Sequence, residues 1–72
     1  MQAKYYAYIK RSGGDDWGRN LRAQTERAAR REARILFADD YRDAVIYVCE
    51  WYDGVKIPVA TVPVFGGRWR DM

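Results

Sequence analysis

The run Ala44-Val45-Ile46-Tyr47-Val48-Cys49 constrains this chain more than any other stretch. Its β-branched and aromatic residues follow one another without a polar interruption, which predicts a central strand covered on part of both faces. A central strand needs a hydrogen-bonded neighbour on each flank and apolar cover on at least one side. One neighbour is signalled directly. Tyr52-Asp53-Gly54-Val55 holds an Asp-Gly pair, the chemistry of a tight type I′ turn, so Lys56 to Phe65 is expected to return as the partner strand. Pro58 and Pro63 cannot donate to a ladder, so this strand is expected to lie at an edge or to break midway. Gly66-Gly67 then frees a short tail, Arg68-Trp69-Arg70-Asp71-Met72.

The second neighbour is expected near the start. Residues 3–11 alternate Tyr, Ala and Ile with Lys, which reads as a strand with Tyr6, Tyr8 and Lys10 on one face and Tyr5, Ala7 and Ile9 on the other. Arg11-Ser12-Gly13-Gly14-Asp15-Asp16 is turn chemistry. Residues 17–23 are either the return strand of a hairpin or the opening of a helix. The hairpin is preferred, because a helix begun at Arg19 would set Glu32 in the centre of its apolar face. With Thr25 as N-cap, the helix runs from Glu26 to Ala38. Ala29, Ala33, Leu36 and Phe37 then form an apolar stripe, and Arg27, Arg30, Arg31 and Arg34 gather on the opposite side. The expected fold is α+β: an antiparallel sheet of three to four strands with one helix packed on a face, in ββαββ or βαββ order. At 72 residues this is one domain, 1–72.

What is missing narrows the chemistry. The chain has no histidine, one cysteine (Cys49) and one serine (Ser12). Histidine-based acid–base catalysis, Ser-His triads, Cys-His dyads and nearly every zinc site are thereby removed. A single cysteine forms no internal disulfide, which fits a reducing cytosol. No apolar segment has the length of a membrane span or a signal-peptide core. The expectation is a cytoplasmic, non-enzymatic binding protein that uses no cofactor and no metal and does not enter a membrane.

Charge is segregated. The net charge is +3, yet residues 19–34 hold six Arg against Glu26 and Glu32. Residues 39–53 follow with Asp39, Asp40, Asp43, Glu50 and Asp53 against Arg42. Such a field favours oriented encounter with a charged partner, or it lets the two segments neutralise each other in the fold.

Four features compete for function. On the helix, Arg27, Arg30, Arg31 and Arg34 form a cationic surface with no interleaved anion, suited to phosphate or carboxylate; the alternative is a solvated face. Each like-charge pair there costs about 0.2–0.5 kcal/mol, which argues for a partner. In the tail, Trp69 between Arg68 and Arg70 either stacks on a base or anchors an interface, or it folds back onto the core, the better expectation for a small domain. The aromatics Tyr5, Tyr6, Tyr8, Trp17, Trp51 and Tyr52 are expected to be mostly core, with a few exposed on the sheet face opposite the helix. Asp15-Asp16 and Asp39, Asp40 and Asp43 lack the spacing of a calcium loop and read as solvated loops. Cys49 reads as a small buried hydrophobe.

The layout resembles that of small phage-encoded anti-CRISPR proteins that inhibit type I surveillance complexes. The likeness rests on the opening strand Ala3-Lys4-Tyr5-Tyr6-Ala7-Tyr8-Ile9-Lys10 and on the passage into an Ala/Arg helix at Arg22-Ala23-Gln24-Thr25-Glu26-Arg27-Ala28-Ala29-Arg30-Arg31. It also rests on the following hairpin and the ending Gly67-Arg68-Trp69-Arg70-Asp71. The chain departs from that layout in its Gly-Gly-Asp-Asp turn, its two prolines and its dense arginine stripe. The resemblance implies a sheet-plus-helix protein that binds a CRISPR effector subunit and blocks target DNA. Arg30, Arg31, Arg68 and Tyr5 would be its contact residues, acting in the host-cell cytoplasm. The alternative is direct binding of DNA or RNA, with the helix arginines on phosphates and exposed aromatics stacking on bases.

Overall fold

The computed structural model describes residues 3–10, 17–38, 44–63 and 67–72. The elements run β1 (Tyr5–Lys10), β2 (Trp17–Asn20), α1 (Glu26–Leu36), β3 (Val45–Tyr52), β4 (Val55–Pro63) and β5 (Arg70–Asp71). All strands pair antiparallel in one five-stranded sheet of order β2-β1-β3-β4-β5. The fold is therefore α+β, with one antiparallel sheet and one helix. It has one strand more than the sequence leads one to expect. The extra strand is the tail, expected to be free: Arg70 and Asp71 pair with Thr61 and Ala60, and the Met72 amide donates to the Val59 carbonyl at 3.1 Å. Residues 17–20 form the hairpin strand. The expected turn at 11–16 and the aspartates Asp15, Asp16, Asp39, Asp40 and Asp43 lie outside the described residues.

The middle strands are where the apolar run put them. β3 lies between β1 and β4, and its turn to β4 holds Asp53 at φ 54° and Gly54 at φ 79°. Both central residues of a type I′ turn need positive φ, which glycine and, to a lesser degree, aspartate adopt. β4 keeps Pro58 by breaking register: Val48 pairs with Ala60 but Cys49 with Pro58, so Val59 is an extra residue on β4, while Pro63 is the strand's last residue. β5 pairs only near Ala60 and Thr61, so Pro58 faces an edge with no described neighbour. Edges and bulges are where proline is tolerated in sheets.

The helix lies on one face only. Thr25 caps it, its hydroxyl accepting the Ala28 N–H at 3.2 Å. Ala29, Ala33 and Phe37 are buried against Tyr5, Ala7 and Ile9 of β1, Ile46 and Val48 of β3, and Ala60 and Val62 of β4. The two alanines let the helix approach the sheet closely, and Phe37 fills the end of the interface. Trp17 meets the Phe37 ring edge-on at 5.5 Å between centroids while remaining half exposed. No described helix is long and apolar enough to cross a membrane.

Candidate functional site

The arginine stripe divides into two pairs. Arg30 donates to Glu26 Oε2 at 2.5 Å and also to Asp71 Oδ1 of β5. Arg34 donates to the Gly67 carbonyl at 2.7 Å. The guanidiniums of Arg30 and Arg34 stand 5.7 and 5.8 Å from the centroid of the Trp69 ring, which packs half-buried against the core. The hydrogen bond that Arg30 donates to Asp71 does most to raise the Arg30 pKa; Glu26 adds to it, and partial burial works against both. The stripe thus has an anion at its start and a second one delivered by the tail, against the expectation of four uncompensated cations. Arg30, Arg34 and Trp69 hold β5 in place. Trp69 folds back, as a small domain favours. Arg27 and Arg31 are exposed and make no ion pair among the described residues.

Tyr5 does not form a contact surface. It is 5 % exposed, beneath the helix with Ala7 and Ile9. Strand alternation dictates this, since Tyr5 shares its face with the apolar residues and Tyr6 does not. Burial, followed by the nearby Glu50 and Glu26, pushes its phenol pKa up.

The other sheet face is open and has its own order. Gly18, Tyr8, Tyr47, Thr61 and Arg70 are successive partners across the five strands. Tyr8 and Tyr47 stack with centroids 4.9 Å apart and planes within 5°. On one side of this pair lies a depression of about 400 Å³ lined by Tyr6, Tyr8, Trp17, Gly18, Cys49, Lys56 and Pro58. On the other side lies a second, also about 400 Å³, lined by Val45, Tyr47, Thr61, Pro63, Gly67, Arg68 and Arg70. Lys56 places its ammonium 4.4 Å from the Tyr6 centroid and 5.9 Å from that of Trp51. Trp51 meets Tyr6 edge-on at 5.9 Å and donates its indole N–H to Asn20 Oδ1 at 2.8 Å.

Gly18 is required by its neighbours: a Cβ there would lie 2.6 Å from the Ala7 carbonyl oxygen and 2.7 Å from the Tyr6 hydroxyl. Cys49 lines the first depression but is 1 % exposed, and burial raises its thiol pKa against the pull of Lys56. No group of three metal-ligating side chains occurs among the described residues.

Sequence reasoning placed Arg68 and Arg70 on the surface, where both are exposed. It passed over Tyr47 and Lys56. Lys56 had a readable signal, because a two-residue turn at Asp53-Gly54 sets it opposite Trp51. Tyr47 was absorbed into the apolar run, and only the pairing of β1 with β3 brings it against Tyr8. No protein-family model matches the chain, and neither does any curated protein or solved structure.

Proposed function

We propose that this is a non-catalytic binding protein that acts by occupancy, an inhibitor that seats on a protein subunit of a type I CRISPR effector complex and blocks nucleic-acid access. The observation that carries the reading is the pair Arg27 and Arg31, exposed one helical turn apart and without an anion among the described residues. Two like charges at i, i+4 cost about 0.2–0.5 kcal/mol in the free protein. Carboxylates or phosphates presented by a partner would offset that, and guanidiniums pair with both in bidentate fashion. The choice of a CRISPR effector rests on the layout resemblance alone. Arg30 and Arg34 contribute by fixing the tail and so presenting Arg68.

The test is a pull-down of purified type I effector complexes on the immobilised protein. Wild type is expected to retain a complex, and R27Q/R31Q to lose at least about tenfold in affinity, as charged interface contacts do. Failure to retain any type I complex, or equal retention by the variant, overturns the reading.

A further inference from the structure

We infer that the open sheet face is a binding site for single-stranded nucleic acid, separate from the helix arginines and independent of the inhibitor reading. Three observations converge on it. First, its aromatic rings are half-exposed and ordered: Tyr8 and Tyr47 stack on each other between two depressions of about 400 Å³ each. A ridge of stacked rings with a depression on each side accepts flat heterocycles, which continue the stack at little cost in entropy. Second, among the described residues the face carries one sign of charge. Lys56 lies in the first depression, Arg68 and Arg70 border the second, and Lys10 extends from the same side of β1.

Every described carboxylate lies elsewhere. Glu26 and Glu32 are on the helix, Glu50 pairs across from buried Tyr5, Asp53 is in the turn, and Asp71 bonds Arg30. Third, Tyr47 has the small Thr61 as its cross-strand neighbour, and Thr61 lines the second depression. Bases that stack while phosphates meet lysine and arginine at the rim are the recurring solution for single strands. A duplex cannot use the site, because paired bases inside a helix offer no free ring face. A protein partner would be expected to find a larger apolar centre than this polar-rimmed ridge.

The test is fluorescence anisotropy with short labelled thymidine and adenosine homopolymers at low salt. Wild-type protein is expected to bind both, with a log–log salt slope of about −2 for three phosphate contacts at about 0.7 each. An abasic strand of the same length keeps the charge and loses the rings, and it should bind at least about tenfold more weakly. Y8L/Y47L should lose about tenfold or more in affinity, and K56Q/R70Q should flatten the salt slope, with circular dichroism confirming the fold of each. The abasic comparison needs no variant, so it decides even where a tyrosine change unfolds the chain. No binding at low salt, equal binding of the abasic strand, or equal binding of a duplex overturns the inference. So does loss in R27Q/R31Q with retention in Y8L/Y47L, which would put nucleic acid on the helix. Capture of a protein on this face without oligonucleotide affinity overturns it as well.

Discussion

Glu32 sits on the helix but serves the loop before it. Its carboxylate accepts the Arg22 N–H with both oxygens at 3.0 Å and the Ala23 N–H at 2.9 Å. These amides follow β2, where the chain leaves the sheet edge with no strand partner of its own, and a carboxylate reaching back gives them one. Hydrogen bonds to charged groups contribute about 1.5–3 kcal/mol, and the low end applies where the site is open to water. Glu32→Ala is therefore expected to cost about 1.5 kcal/mol. That appears as a fall in melting temperature of about 6–12 °C for a domain of this size. A change under about 2 °C would show that water replaces the carboxylate fully. Nothing in the local sequence marks this role: Glu32 looks like any helix glutamate until the loop is folded against it. Its position argued only against a helix begun at Arg19; Thr25, as the cap, set the start at Glu26.

Among the elements, β5 shows how two kinds of contact differ in weight. It has two residues and pairs with the middle of β4, too little backbone to hold itself. Beside the Arg34 hydrogen bond to the Gly67 carbonyl, two contacts compete for that role, the Arg30–Asp71 ion pair and the packing of Trp69 beneath Arg30 and Arg34. Asp71 is largely exposed, and ion pairs of that kind contribute about 0–1 kcal/mol. A half-buried indole contributes more, on the order of 2 kcal/mol when truncated to alanine. The prediction is that Trp69→Ala lowers stability by about 2 kcal/mol and abolishes hydrogen-exchange protection at the Met72 amide. Asp71→Asn should cost under about 1 kcal/mol and leave that protection largely in place. Equal effects of the two changes would mean that charge and not packing docks the strand. The gathering of arginines on one helix side was legible from spacing alone. That half of them are committed to the tail was not, because no helical period encodes where a segment some 40 residues away will dock.

At the scale of the whole molecule, the asymmetry of the sheet decides the pH response as well as the candidate sites. One face is sealed by the helix over Tyr5, and the other buries Cys49 under its own side chains. Both groups have pKa values raised by burial from ordinary values of 10.0 and 9.0. A group whose folded pKa lies above its unfolded value contributes stability in full below the unfolded value. It loses that contribution as pH rises through the folded value. Stability should therefore hold up to about pH 9 and decline above it. Cys49→Ala should remove the earlier part of the decline, read as urea midpoints across an alkaline series. An unchanged midpoint up to pH 11 would show that neither group is kept neutral by the fold.

The amino-acid order by itself determined the local elements. A β-branched run made β3, Asp53-Gly54 made the turn, Thr25 capped the helix, and alternation assigned Tyr5 and Tyr6 to opposite faces. These are matters of steric preference and period, settled within a few residues. The tertiary structure alone decided which surfaces remain free. It docked the tail as a fifth strand and so occupied Arg30 and Arg34. It also laid β3 beside β1 so that Tyr47 stacks on Tyr8 with Lys56 and Arg70 on the same side. Those outcomes depend on contacts between residues far apart in the chain, set by which buried arrangement packs best and invisible to any local pattern.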